Sequence, residues 1–439
     1  MSLIASLRRP ATSTSERMFR GMMMLAFGGI LARAIGVITV PILARIYTPA
    51  DYGMLSVYTS IVQMILPVLT LRYVVAIPLP RRDAMAFNVF VLSTLLMLGF
   101  SIVVGIGLAL FGPDLLRLAS AEKLASWWWL ILVGVLTAGF AEIIGSWATR
   151  HREYKLMARN SVTVTVLGES IKIIFGLLGW RPFGLLVGQM AVQSGGAMSF
   201  TRHFWPQFKA NFRKVSRKRL AFVARYYSSY PLFRLPSQFL LVYSMQAPLL
   251  FTAGLYGVDI SGQLGLALMT LALPINLIGQ AMGKAYYAEV AKIGRKNPAE
   301  IMRLTKHSQL RLLLGGLVPT LVLMFLGPQL FAFAFGEKWR VAGEFAATLS
   351  SYTLLQFTSA PLIQLLNIFN RQSVFLILNI IRTIAVSLLF HFCVSLKLTA
   401  PEYVFAYSMI MTVFYVGVTG YIFWLTINAS RTPVATRSP

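Results

Sequence analysis

The sequence predicts an all-α polytopic membrane protein: twelve transmembrane helices in two six-helix lobes around a central cationic cavity, with both termini cytoplasmic. Three observations carry that expectation. Hydrophobic residues make up 57% of the 439 and charged residues only 12%, with a mean hydropathy of +0.69; a soluble domain carries about 25% charged residues. Apolar stretches of about 20 residues, long enough to cross a bilayer, recur along the chain. The basic residues cluster in alternate connecting segments, the bias that orients membrane proteins.

The spans are expected at roughly 21–46, 54–79, 84–111, 124–147, 160–180, 182–202, 226–252, 263–283, 310–335, 345–367, 372–396 and 403–427. Trp180-Arg181-Pro182 is the sole connector between the fifth and sixth, where proline acts as breaker. The apolar run after Arg20 exceeds the about 7–15 residues of a signal-peptide core, so no cleavable signal is expected. With the N-tail in the cytoplasm, twenty-eight of the forty Lys and Arg residues fall in cytoplasmic segments and six in external ones. The remaining six are Arg33, Arg45, Arg72, Lys172, Arg234 and Arg382. All eight tryptophans fall at predicted span boundaries, as an aromatic belt requires. This bias accounts for much of the net charge of +26 without any nucleic-acid partner. The single cysteine, Cys393, excludes an intramolecular disulfide.

The expected organisation is a cytoplasmic N-tail (1–20), an N-lobe (21–202), a basic cytoplasmic connector (203–225), a C-lobe (226–427) and a cytoplasmic C-tail (428–439). The connector holds Lys209, Arg213, Lys214, Arg217, Lys218 and Arg219, with Phe208, Phe212, Val215 and Phe222 at near-helical spacing. It reads as a segment lying on anionic headgroups; recruitment of a partner enzyme is the alternative. Residues 46–55 match 255–264 weakly at an offset of 209, which with the symmetric span count favours two lobes suited to alternating access. Prolines 41, 67, 231, 236, 248, 274, 319 and 361 fall within spans, where each removes a helix hydrogen bond and favours a kink.

Cations inside spans carry the functional argument. Each costs about 2.5–3.5 kcal/mol at the bilayer centre, so such residues face a bundle interior or a watery cavity. Arg33 lies 13 residues beyond Arg20, roughly 20 Å deep, and Arg382 and Lys172 also come out near the middle. Arg33 and Arg382 are therefore expected to line the cavity. Arg72 and Arg234 lie nearer the inner face, where they either line it or snorkel to the headgroups; Arg45 snorkels at the outer end of span one. Only two carboxylates, Glu142 and Glu169, accompany these cations, so the natural guest is an anion. Glu169 and Lys172 share one face of span five. They are either a self-neutralised pair or an ion-coupling site. Glu142 is the other coupling candidate, since a lone buried acid binds and releases a proton readily. No His/Cys/carboxylate cluster has metal-ligand spacing, and no phosphate-binding loop is present. No metal, cofactor or bound ATP is expected.

The segment Pro41-Ile42-Leu43-Ala44-Arg45-Ile46-Tyr47-Thr48-Pro49-Ala50-Asp51-Tyr52-Gly53, and the stretch from Leu69 to Pro80 with its Arg72-Tyr73 and its prolines, resemble the first two spans of bacterial polysaccharide flippases. These are Wzx-type members of the multidrug/oligosaccharidyl-lipid/polysaccharide (MOP) superfamily. The resemblance implies transport, not catalysis, with a polyprenyl-diphosphate-linked oligosaccharide as the guest. It also implies a place in the bacterial inner membrane and association with polysaccharide polymerase and export machinery. The Pro-x-Asp-aromatic-Gly loop itself makes a good turn and reads as structural. The charges within the spans, taken by themselves, make Arg33, Arg382, Arg72, Arg234 and Lys172 the candidate substrate contacts, and Glu142 and Glu169 the candidates for ion coupling. A drug or cation antiporter would need an anionic cavity instead. A membrane glycan polymerase or ligase would need a larger external loop than residues 112–123 supply. An anion channel or scaffold stays open.

Overall fold

The computed structural model describes residues 14–118, 120–293, 297–369 and 371–431. The ends of the expected cytoplasmic tails, 1–13 and 432–439, lie outside the described residues. Everything described is helix, turn or irregular connection. The principal helices are α1 (Thr14–Ile46), α2 (Pro49–Leu69), α3 (Asp83–Leu118), α4 (Trp128–Arg150), α5 (Tyr154–Leu177), α6 (Phe183–Gln193), α7 (Ala197–Phe212) and α8 (Arg217–Tyr226). They continue with α9 (Leu235–Tyr256), α10 (Val258–Pro274), α11 (Gln280–Ile293), α12 (Pro298–Phe335), α13 (Arg340–Ser359), α14 (Gln372–Leu396) and α15 (Ala400–Arg431).

Ten helices among the described residues are long and apolar enough to cross a membrane. The count of twelve differs at two places, each for a local reason. The expected sixth span is two short helices, α6 and α7, parted at Ser194-Gly195-Gly196, where both glycines have positive φ (57° and 77°). Only glycine takes up that backbone without strain, and a Cβ on Gly196 would also crowd Asn160. The expected tenth span is α13, whose twenty residues are long enough to cross but whose Glu344, Ser350, Ser351 and Gln356 leave it less apolar than the ten; it stops at Ser359, and Pro361 then opens a short 3₁₀ turn, Leu362–Gln364. The second span also ends early: α2 stops at Leu69, and Leu71 and Arg72 turn left-handed at φ 46° and 62°.

Helix starts follow their side chains. Thr48 and Asp51 cap α2 reciprocally, the Thr48 backbone N–H and hydroxyl each donating to Asp51 Oδ2 at 2.8 Å, with Pro49 at the first turn where its missing N–H costs nothing. Asn297 and Pro298 repeat the device at α12, and Ser216 accepts from the Arg219 N–H at α8. Prolines loosen two spans into π-helical turns, Tyr230–Arg234 beside Pro231 and Pro236, and Ile275–Gly279 after Pro274, because the bonds a proline forfeits let the turn widen.

The chain divides into two compact units. Of the described residues, 14–47 and 57–242 form the first, and 48–56 with 243–431 the second. In the first, α1 packs on α5, α5 on α6, and α3 on α4. Its core includes an aromatic nest of Phe87, Phe90, Trp147, Phe204 and Phe208, with ring centroids 5.1–6.3 Å apart for the touching pairs. In the second, α13 packs on α12, α10 and α15, and Tyr286, Val290, Ile301, Leu362, Leu365, Val418 and Ile422 form one cluster. Exposed Val318, Phe325 and Phe333 run along α12, the inverse of a soluble surface and what a lipid-facing helix requires.

The second unit also holds a reciprocal contact. A Cβ on Gly53 would collide with the Val258 carbonyl, one on Gly262 with the Pro49 carbonyl, and one on Gly265 with the Ser56 hydroxyl. Pro49 and Val258, Gly53 and Gly262, and Ser56 and Gly265 are partners at the same offset of 209. The two stretches that match in sequence therefore pack against one another, backbone to backbone, through equivalent residues. Tyr52 seals this contact edge-on against the buried Trp339 at 5.0 Å.

Candidate substrate and coupling sites

Among the described residues three charged clusters stand inside the units, a half-buried one and a buried one in the first and a buried one in the second. The left-handed turn after α2 aims Arg72 at α4, where its Nη1 donates to Glu142 Oε1 at 2.8 Å. Tyr73, next in the chain, is buried and donates its hydroxyl to the Ala224 carbonyl on α8 at 2.8 Å. The pair is half satisfied: Glu142 Oε2 and Arg72 Nε are both buried without a partner. In a low-dielectric interior each orphan costs about 1–3 kcal/mol, and the free carboxylate oxygen is the natural acceptor for a proton or small cation.

The second cluster is Glu169 and Lys172 on α5, 8% and 6% exposed. Lys172 Nζ donates to Glu169 Oε1 at 2.8 Å and to Gln189 Oε1 on α6 at 3.0 Å. Thr39 on α1 donates to Glu169 Oε2 at 3.0 Å. The Lys172 carbonyl accepts the Tyr47 hydroxyl at 2.7 Å. Close approach of α5 and α6 closes the site: a Cβ on Gly188 would strike the Lys172 side chain, and one on Gly168 the Val192 side chain. Both carboxylate oxygens and two of the three ammonium donors are engaged, which is the arrangement a buried ion pair needs to hold together. The geometry agrees with the self-neutralised alternative for this pair.

The third cluster centres on Arg382 of α14, 7% exposed. It hydrogen-bonds Tyr407 and faces Tyr352 and Tyr415, all three buried. Tyr352 meets Tyr407 edge-on at 5.7 Å and stacks on Tyr415 at 6.5 Å. No carboxylate lies within ion-pair distance of Arg382 among the described residues. Its Nε is buried without a partner, as is Nδ2 of Asn379 one turn earlier. A guanidinium in such a setting carries an unneutralised charge and a spare donor, the chemistry that takes an oxyanion.

The other two candidates differ from these. Arg33 on α1 and Arg234 in the π-helical turn are exposed on their units, so burial does not pick them out. Arg45 is exposed in the last turn of α1, where a cation complements the helix dipole. No group of three or more His, Cys, Asp or Glu residues able to hold a metal occurs among the described residues. Gln189, Thr39, Asn379 and the three tyrosines were not legible as site residues one by one. A signal did exist in α15, where Tyr403, Tyr407 and Tyr415 recur at multiples of four and so share a helical face.

The fold is similar to that of MATE transporters of solved structure. Over 93% of this chain and 95% of the other, it superposes on an inward-facing multidrug resistance MATE transporter of the MOP superfamily with a TM-score of 0.63 at 16% identity. The corresponding figures are 94% and 96%, 0.56 and 15% for an outward-facing one. They are 97% and 98%, 0.54 and 15% for a MOP transporter from Pyrococcus furiosus, described as having a binding pocket of reverse polarity that suggests a different function. The chain belongs to the family of polysaccharide biosynthesis proteins, whose sequence model matches residues 42–344. No curated protein matches it.

Proposed function

We propose that this chain is a flippase that moves a polyprenyl-diphosphate-linked oligosaccharide across the bacterial cytoplasmic membrane by alternating access, with both termini cytoplasmic. One observation carries the reading: Arg382, buried among three tyrosines with no carboxylate partner among the described residues. A diphosphate supplies the missing anion, and a guanidinium binds its oxygens in a planar fork. Tyrosine rings and hydroxyls suit the sugar beside it. Membership of a polysaccharide biosynthesis family supports the glycan, and the MATE fold supports transport over polymerisation or ligation. In this reading Arg33 and Arg234 are further contacts for the headgroup, Lys172 stays with Glu169, and the Arg72–Glu142 pair is the ion-coupling element. Export and polymerase machinery would take the product.

The test is leaflet transfer of a fluorescent polyprenyl-diphosphate oligosaccharide by purified protein in liposomes. Arg382→Ala abolishes transfer at unchanged protein recovery, and Arg382→Lys, which keeps charge but not the fork, retains part of it. Wild-type rates in Arg382→Ala would end the assignment. A drug or cation antiporter is the second reading, favoured by the fold of multidrug transporters. It meets the difficulty that both deep carboxylates, Glu142 and Glu169, are already paired with Arg72 and Lys172. Uptake of a lipophilic cation in the same liposomes, with no glycan transfer, would establish it.

A further inference from the structure

Helix α8 is held on the first unit by a few specific contacts and leaves a basic, aromatic face open. Val223 is fully buried. The Ala224 carbonyl accepts from the Tyr73 hydroxyl, and the Lys214 carbonyl just before α8 accepts from Asn88 Nδ2 at 3.3 Å. Arg219 folds back to donate to the same Lys214 carbonyl at 2.6 Å. These bonds fix the helix's rotation about its axis. The outward side then carries Arg217, Lys218, Phe222, Arg225 and Tyr226, all exposed. From 209 to 225 the chain has seven basic residues and no acidic one.

The aromatic residues set the choice of partner. Phe222 and Tyr226, 55% and 68% exposed, stack on each other at 5.7 Å instead of folding under the helix. Leu232 and Phe233 follow, equally exposed, on the π-helical turn that leads into the membrane-spanning α9. The exposed apolar side chains of α8 are thus followed within a few residues by those of the turn that opens the next membrane-spanning helix. An acidic protein would satisfy the charges, but would leave uncovered two exposed rings that lie a few residues from a membrane-spanning helix. A membrane surface covers both: rings at the acyl boundary, cations among phosphates.

We propose that α8 is a fixed docking surface for anionic phospholipid headgroups, on the cytoplasmic side by the charge bias. Its anchor Tyr73 adjoins Arg72, so lipid engaged by α8 bears directly on the turn that holds the Arg72–Glu142 pair. The inference rests on the chain spanning a membrane, not on what it carries.

The test uses the full chain in nanodiscs of phosphatidylcholine, with and without one quarter phosphatidylglycerol, and measures backbone hydrogen exchange across 217–226. Phosphatidylglycerol slows exchange there by at least about fivefold, the equivalent of roughly one surface charge contact, without slowing α15. High salt reverses the effect, because screening removes it. The variant Arg217→Gln/Lys218→Gln/Arg225→Gln keeps Val223 and the Tyr73 anchor, and loses the lipid dependence. Should that variant fail to fold, selectivity of the wild-type protein for spin-labelled phosphatidylglycerol, with and without molar salt, gives the answer. Equal exchange in both lipids, lipid dependence that survives in the variant, salt-insensitive selectivity, or a soluble acidic protein that protects α8 in phosphatidylcholine alone would each overturn the proposal.

Discussion

Replacing Glu169 by Leu is the perturbation whose consequence the structure fixes most closely. The ammonium of Lys172 would stay 6% exposed with only Gln189 Oε1 at 3.0 Å as partner. Breaking one side of a buried pair leaves an uncompensated charge, at a cost of about 3–5 kcal/mol, a large share of a total stability of about 5–15 kcal/mol. On the scaling of soluble domains this lowers the midpoint of thermal unfolding by roughly 10 °C. Lys172→Met alone costs less, because the stranded carboxyl keeps its bond from Thr39. The double variant Glu169→Leu/Lys172→Met removes both charges. It leaves Gln189 Oε1 without its donor, about 1–3 kcal/mol, while Thr39 retains its bond to the Gly36 carbonyl. The double variant is therefore more stable than Glu169→Leu alone. The assay is the monodisperse fraction in size exclusion after stepwise heating in detergent, for all four proteins of the cycle. Additive losses, with the double variant the least stable, would refute the pair as a structural unit. A stable double variant that no longer transports would return Glu169 to a coupling role.

Other expectations follow from single contacts. On the proposed coupling role of the Arg72–Glu142 pair, Glu142→Gln keeps the bond from Arg72 but removes the carboxylate, so the proposed glycan transfer in liposomes becomes indifferent to an ion gradient while protein recovery is unchanged. Gly53→Ala and Gly262→Ala each drive a methyl into a backbone carbonyl, destabilising by about 1–3 kcal/mol or more; because both strike the one reciprocal contact, their losses in a thermal cycle are less than additive. His151, at the C-terminal edge of α4 outside the span, packs against Trp147 and Phe204 at 4.8 and 5.6 Å. Burial pushes its imidazole pKa down, Arg150 adds to this, and Asp83 and Glu153 oppose it. With the folded pKa below the unfolded value of about 6.5, the unfolded chain takes the proton first. Stability is thus lost as pH falls below that value, and His151→Phe flattens the slope in thermal scans between neutral and mildly acidic pH.

What the chain alone determined was the class of solvent and the periodicity. Twenty-residue apolar runs need lipid around them, and helices satisfy every backbone group there, so an all-helical membrane protein followed from hydropathy. The loop signature around Pro49-Ala50-Asp51-Tyr52-Gly53 was equally local, but it forms the first turns of α2 instead of the loop turn expected, because Pro49 suits the first helical turn and Thr48 with Asp51 caps it. The break of the sixth span was also written locally, in Ser194-Gly195-Gly196, but hydropathy averages over such a signal. The fate of each charge was not written locally. Arg33, Arg382 and Lys172 have the same depth on a linear chain. The structure exposes the first, cages the second among tyrosines from two other helices, and pairs the third with Glu169 of α5 and Gln189 of α6, Thr39 of α1 holding the other oxygen of Glu169. The weak match at an offset of 209 gained its meaning in the same way, when its two copies met through Gly53 and Gly262. Burial of a charge and its neutralisation are pairwise properties of residues far apart in sequence, so only the packed chain could distribute them.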